Sequence, residues 1–347
     1  MSATIRILMI TSEWPTASHP QTTPFIKRQA DFLMAAGIDV DVFHFKGRKN
    51  PFNYLRAWRQ VQRRLKSGSY DLVHAQFGQS ALLALPKRIP LVVTFRGSDL
   101  LGQLGDKDGQ PTHRGKILQR LCRMVALHAD AVVVVAEHMK RYLHPSVQAH
   151  VIPSGIDLDL FRCMPQEEAR HKLGLPLDQR LVLFVGRSEW AGKRFEISRQ
   201  AVEILNRTLP AKLIVAGSVP HKEIPLYMNA CDALVFTSAQ EGSPNVIKEA
   251  LACNLPVVSV SVGDVALRIS EIEGCELCGD DRPETVAASL ERVLRRGQRI
   301  AGRETVKNLD ERFITQQVID TYKSILIRQT TGERRQLTVD RTFELLR

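Results

Sequence analysis

Continuous runs of β-branched and other apolar residues alternate along the chain with longer stretches whose apolar positions recur every three or four residues. Residues 5–11, 40–45, 71–75, 91–95 and 131–135 are short runs of the kind that parallel strands buried on both faces produce. Between them, residues 25–36, 52–66 and 115–128 have helical spacing. A short strand at 149–153 leads into Ser154-Gly155-Ile156-Asp157, whose composition marks a turn and a hinge. The second half repeats the scheme, with strands at 181–185, 212–216, 233–236 and 256–260 and helices between them. A last helix at 315–327 carries Val318, Ile319, Tyr322, Ile325 and Leu326 at helical spacing and is expected to pack across a domain surface. The pattern predicts an α/β protein of two Rossmann-like, doubly wound domains facing a cleft. They span residues 1–160 and 161–328 and are followed by a polar, basic tail at 329–347.

A length of 347 residues suits two cores better than one, and 44% hydrophobic with 24% charged residues excludes a disordered or fibrous chain. The longest apolar runs fall far short of the ~20 residues that span a bilayer, and residues 5–10 are too few for the apolar part of a signal peptide. A cytoplasmic protein is expected. Cys122, Cys163, Cys231 and Cys253 sit singly in or beside apolar segments and read as core thiols. Cys275 and Cys278 form one CxxC, without the second pair or the histidine that a zinc site needs. The net charge of +11 is concentrated in residues 1–160, which hold 21 Lys and Arg against 12 Asp and Glu. That half faces something anionic: nucleic acid, a membrane surface or a phosphate-bearing substrate.

Chemistry is concentrated in two segments that each follow a predicted strand. In the first, Glu241-Gly242-Ser243-Pro244-Asn245-Val246-Ile247-Lys248-Glu249 opens a helix running to about Cys253, with Ser243 as N-cap and Pro244 as first helical residue. Free backbone N–H groups at such a helix start attract phosphate and hydroxyl oxygens, and the two carboxylates can accept from a ribose diol and from a sugar. An acidic cap and a surface glutamate would look the same. In the second, Gly186 to Arg194 bring Arg187, a planar fork of donors, and Lys193, a compact cation, to a strand's carboxyl end. Together they can hold two phosphates and neutralise a departing nucleoside diphosphate without a metal. Solvated surface is the alternative, but both segments would face one cleft.

These segments, with the LPVVS run after them, resemble the retaining glycosyltransferase family 4 of the GT-B fold. The likeness extends through Trp14-Pro15, Phe25-Ile26-Lys27-Arg28-Gln29, Asp71 to Ala75, Thr94-Phe95-Arg96-Gly97-Ser98-Asp99 and Ile152 to Asp157. It implies that Arg187 and Lys193 bind the donor diphosphate, Glu249 the ribose and Glu241 the sugar ring. Gly242, Ser243, Pro244, Asn245 and Val246 would supply backbone contacts, with Ser218 and Val219 near the base. It also implies retention of configuration, with stabilisation of the leaving group mattering more than a protein nucleophile. No cofactor and no metal are implied, the nucleotide-sugar being a substrate, with UDP the first choice of nucleotide.

Two single residues and one loop depart from the family pattern. Arg96 stands where many relatives have a histidine that reaches the donor sugar, and it would contact sugar or acceptor phosphate instead. Gln76 stands where some have a second histidine, and Thr22-Thr23 occupy a loop that is often glycine-rich. On the acceptor side, Thr23, His74 and Asp99 are candidates, with a helix cap the competing role for Asp99 and a satisfied strand-end residue for His74. Residues 52–66 place Phe52, Leu55, Trp58, Val61 and Leu65 at near-helical spacing among Arg56, Arg59, Arg63 and Arg64. That helix either packs on the sheet or lies on an anionic membrane surface, and the second role implies a lipid-linked acceptor. A dinucleotide oxidoreductase would need a GxGxxG turn after its first strand, and Thr11 to Pro15 stand there instead. No nucleic-acid motif accompanies the basic half. A non-catalytic sugar-nucleotide sensor is the remaining alternative, and turnover separates it from an enzyme.

Overall fold

The computed structural model describes residues 4–16, 22–47, 50–102 and 112–331. Six parallel strands form the first sheet: β1 (Arg6–Thr11), β2 (Asp39–His44), β3 (Leu72–Gln76), β4 (Leu91–Phe95), β5 (Ala131–Val134) and β6 (Ala149–Val151), in the order β2-β1-β3-β4-β5-β6. Five more form the second: β7 (Arg180–Val185), β8 (Ala211–Ala216), β9 (Ala233–Phe236), β10 (Val257–Val260) and β11 (Glu276–Cys278), in the order β11-β10-β9-β7-β8. Every β3, β4, β5, β9 and β10 residue is buried, which is why these strands read as unbroken apolar runs. β11 was not expected: it has three residues and only one of them is buried.

Parallel neighbours require crossover helices, and these cover both faces of each sheet. On the first sheet, Ala57, Val61 and Leu65 of the helix Pro51–Ser67 share one core with Cys122, Val125 and Ala126 of the helix His113–His128. The opposite face packs on Ile26, Ala30 and Leu33 of the helix Pro24–Ala35 and on Val318, Ile319, Tyr322 and Ile325 of the last helix. That helix, Glu311–Thr330, is longer than its apolar spacing predicted and returns to the first sheet. Its Tyr322 is fully buried and its hydroxyl lies 2.6 Å from His74 Nδ1. Of the expected tail, residues 329 and 330 end this helix and residues 332–347 lie outside the described residues.

The chain crosses between the sheets twice, and the two crossings pair with each other. Ile156 N–H donates to the Leu309 carbonyl at 2.8 Å, and Glu311 N–H donates to the Ile156 carbonyl at 2.8 Å. A Cβ on Gly155 would come within 2.7 Å of Glu311 Cα, so only glycine lets the crossings approach this closely. Cys122, Cys231 and Cys253 are buried as expected, whereas Cys163 is exposed, because its polar neighbours in the connection before β7 face solvent. Cys278 lies in β11, and burial pushes both CxxC thiols up, Cys275 to about 11, which disfavours the reactive thiolate. Among the described residues no helix is long and apolar enough to cross a membrane.

Candidate active site

The loops that follow β1, β4, β7, β8 and β9 leave the carboxyl ends of their strands and meet between the two sheets. The loop after β7 is tied to the loop after β9 by hydrogen bonds that include Ala239 N–H to the Gly192 carbonyl at 2.9 Å, Thr237 Oγ1 to the Lys193 and Arg194 carbonyls, each at 3.1 Å, and Arg194 Nε to the Thr237 carbonyl at 2.6 Å. These bonds set Lys193 Nζ 2.7 Å from Glu241 Oε1 and over the Phe236 ring. Arg187 stacks on Trp190, its guanidinium carbon 4.3 Å from the ring centre, and among the described residues it has no carboxylate within ion-pair distance. It is half-buried, leaving its N–H fork available to an incoming anion.

The helix that follows is Asn245–Ala252, one residue shorter at each end than expected. Ser243 does not cap it. Pro244 is extended, with ψ 121°, and the Ser243 hydroxyl donates to Asp264 Oδ2 at 2.8 Å, a charged acceptor that outcompetes the backbone N–H groups. Val246 is buried and Asn245 half-buried. Gly242 is pressed against the opposite domain: a Cβ there would stand 2.7 Å from the Arg96 carbonyl oxygen. Glu249 is almost wholly buried, with Oε1 2.9 Å from His221 Nε2 and 3.9 Å from Arg28 Nη1. Burial raises its pKa, but the His221 ring, Arg28 and Lys248 outweigh that and hold it below the usual glutamate range, so it is ionised. Ser218 is exposed and Val219 half-buried, on the loop that also carries His221.

On the other side of the cleft, Arg96 lies at the centre of a network. Its Nε and Nη2 donate to Gln76 Oε1 at 3.0 and 2.6 Å, Nη2 also to Gln29 Oε1 at 2.9 Å, and Nη1 to Ser154 Oγ at 2.6 Å, while the guanidinium sits over Phe25. The two single-residue departures from the family pattern, Arg96 and Gln76, are therefore direct partners. Burial lowers Arg96 to about 10. Lys248 is buried, with Nζ 2.8 Å from the Ser154 carbonyl, and Arg28 donates to the next carbonyl, that of Gly155, and to Glu311 at 2.9 Å. Burial drops the Lys248 ammonium to about 7.

Of the three acceptor-side candidates, Asp99 and His74 border this network, through the Arg96 N–H and Gln76 Nε2. Asp99 accepts from the backbone N–H groups of Gly78, Arg96, Gly97 and Leu100 and is buried, so it folds its own loop as a cap does. Burial raises its pKa despite these four donors. His74 is buried between the Tyr322 hydroxyl and Thr94 Oγ1, 2.8 Å away, and burial lowers it to about 3, which keeps the ring neutral. It is the satisfied strand residue of the two roles considered. Thr23 precedes the helix Pro24–Ala35 in the left-handed region, φ 41°, an unusual conformation for a β-branched residue, and its buried hydroxyl has no partner among the described residues.

Sequence reading missed the contributions of His221, Lys248, Gln29 and Ser154. Three of them lay inside quoted motifs, and only their side-chain direction was hidden. His221 stands alone after β8 and nothing in the local sequence joins it to Glu249.

Comparisons with known proteins agree with this architecture. Residues 6–160 match the model for Glycosyltransferase Family 4, and residues 180–296 that for Glycosyl transferases group 1. The putative teichuronic acid biosynthesis glycosyltransferase TuaC of Bacillus subtilis is 30% identical over 76% of this chain and 82% of its own. A D-inositol 3-phosphate glycosyltransferase of Thermobispora bispora is 27% identical over 72% of this chain and 68% of its own. Among solved structures, sucrose-phosphate synthase from Thermosynechococcus elongatus superposes with a TM-score of 0.76 at 19% identity, covering 93% of this chain and 99% of that one. Anabaena HepE in complex with UDP-glucose gives 0.66 at 20% identity, covering 92% and 100%. At these identities the structures share the fold, two Rossmann-like domains in the GT-B arrangement. The ordered motifs, the two parallel sheets and the matched relatives agree: the chain belongs to glycosyltransferase family 4.

Proposed function

We propose that this glycosyltransferase transfers a sugar from a UDP-linked donor to a glycan or lipid-linked acceptor of the cell envelope, with retention of configuration and without a metal. The observation that carries the reading is the ion pair of Lys193 and Glu241 from two loops at strand carboxyl ends, with Arg187 on the first of those loops and the ionised Glu249 on the helix that follows the second. The relationship to TuaC and the UDP-glucose held by HepE support the donor and acceptor classes.

In this reading Arg187 and Lys193 bind the diphosphate and stabilise the negative charge that grows on it as its bond to the anomeric carbon breaks. Glu249 accepts from the ribose, and Glu241 orients the sugar and stabilises its oxocarbenium-like carbon. The acceptor hydroxyl bonds to that carbon on the face the diphosphate leaves, and its proton passes to the departing phosphate oxygen. The paired crossings at residues 154–157 and 309–311 are the proposed hinge, and closure excludes water that would hydrolyse the donor.

The helices Pro51–Ser67 and His113–His128 lie on one face of the first sheet and expose apolar side chains among cations. Phe52 is 77% exposed and Ile117 56%, with Leu55, Leu121 and Met124 also exposed among Arg56, Arg59, Arg63, Arg114, Lys116, Arg120 and Arg123. This combination supports docking on an anionic membrane surface, even though Val61 and Leu65 of the same helix pack on the sheet. Thermal stabilisation by a panel of nucleoside diphosphates and sugar nucleotides, in chelator, tests the donor reading. Stabilisation by UDP compounds is expected, and a flat response across the panel overturns it.

A further inference from the structure

Arg28, Arg170, Arg299 and Arg303 are each held by a carboxylate or by backbone carbonyls, whereas the Arg96 guanidinium has neither kind of partner. Arg28 pairs with Glu311 and Arg170 with Asp232, each at 2.9 Å. Arg299 and Arg303 satisfy backbone carbonyls, those of Met228 and Asn229 and those of Leu158, Phe161 and Ala252. Arg96 is held by neutral side chains: the Gln76, Gln29 and Ser154 oxygens. The Gln76 amide nitrogen donates to Gln29 Oε1 at 2.8 Å, which fixes the Gln76 carbonyl toward Arg96. A glutamate at either position would hold the guanidinium equally well and cancel its charge; the glutamines hold it and leave the charge intact.

Among the described residues no carboxylate lies within ion-pair distance of Arg96. Arg28, Arg96 and Lys248 converge on residues 154 and 155, against the two carboxylates of Glu249 and Glu311. Asp99, three residues on, has its oxygens occupied by the N–H groups of its own loop. The Arg96 carbonyl abuts Gly242, next to Glu241, so residue 96 stands at the boundary between the domains. The neutral cradle uses four of the five guanidinium N–H groups and leaves one, on Nη1, from which a ligand oxyanion can accept.

We propose that Arg96, clamped by Gln76 and Gln29, recognises an oxyanion, carboxylate or phosphate, carried by one of the two substrates, and so selects a charged sugar or a phosphorylated acceptor. The proposal rests on the glycosyltransfer reading and specifies its substrate. Calorimetric titration of the full chain with UDP, UDP-glucose and UDP-glucuronic acid tests the donor source. Glucose against glucose 1-phosphate, each in saturating UDP, tests the acceptor source. The wild type is expected to prefer the charged member of one pair by about tenfold or more, as one charge-assisted hydrogen bond from the remaining Nη1 N–H gives. The preference should fall to within about threefold in Arg96→Gln and in Gln76→Glu, which cancels the charge while Arg96 stays in place. Arg96→Lys should restore part of it. UDP affinity close to wild type in these variants shows that the donor site is folded. No charge preference in either pair, or a preference that survives both Arg96→Gln and Gln76→Glu, overturns the proposal. If UDP itself fails to bind the wild type, the donor reading falls and the proposal with it.

Discussion

Lys193 Nζ and Glu241 Oε1 are 2.7 Å apart, so the cation proposed for the diphosphate and the carboxylate proposed for the sugar form one ion pair across two loops. A phosphate must compete with Glu241 for Lys193. Glu241→Gln should therefore bind UDP as tightly as wild type or more tightly, while sugar transfer slows by about a hundredfold or more. Calorimetry with UDP and single-turnover kinetics read the two effects separately. Weakened UDP binding with undiminished transfer would contradict the assignment.

Arg187→Ala and Lys193→Ala should act on binding. At a ligand concentration near a hundred times Kd, wild type gains about 2.7 kcal/mol from UDP. Either variant should lose most of that gain in a thermal melt while its unliganded Tm stays close to wild type, because the Arg187 side chain is half-buried, stacked on the exposed Trp190, and Lys193 is partly exposed.

Lys248 predicts a pH dependence of stability. Burial puts its folded pKa at about 7, below the ~10.4 of an unfolded lysine. Between those values the unfolded chain binds more protons, so stability from this group rises with pH through the window and is lowest below about pH 7. The groups facing it are Asp264, Arg268, Arg28 and Glu249, and none titrates ordinarily in that range. Lys248→Met should flatten the rise in urea-unfolding free energy from about pH 7 to pH 10 and be relatively most stable at the acid end. An unchanged slope in the variant would rule this out.

Tyr322→Phe keeps the ring and removes the hydroxyl that satisfies His74 Nδ1. Leaving that buried nitrogen unpaired should cost about 1–3 kcal/mol in urea unfolding. Since His74 is neutral down to about pH 3, the cost should not vary from pH 6 to 9.

Vesicle flotation tests the exposed face. Paired Phe52→Ser and Ile117→Ser changes should reduce capture by anionic vesicles severalfold, and added salt should weaken capture of the wild type. Equal capture by neutral vesicles would remove the electrostatic part of the reading.

Both sheets were legible because their central strands, β3, β4, β5, β9 and β10, are buried on two faces and so read as apolar runs; β11 was not, since Glu276-Leu277-Cys278 is an edge with one buried residue. The loops bearing Arg187, Lys193 and Glu241 could be placed because each follows such a run. The Ser243 cap failed on a competitor, Asp264, that lies 21 residues away. Lys248 and His221 were opaque for the same reason: their partners, Ser154 and Glu249, are 94 and 28 residues distant, and no local periodicity encodes a contact of that span. Arg96 and Gln76 were each visible as departures, but only the fold joins them.

The return of the last helix to the first sheet bears on how the chain is made. Ile7, Met9, Ile26 and Leu33 share a core with Val318, Tyr322 and Ile325. A ribosome therefore makes the whole second sheet before the first can complete that core, and the early half waits, part of its apolar side uncovered, for a helix translated after β11.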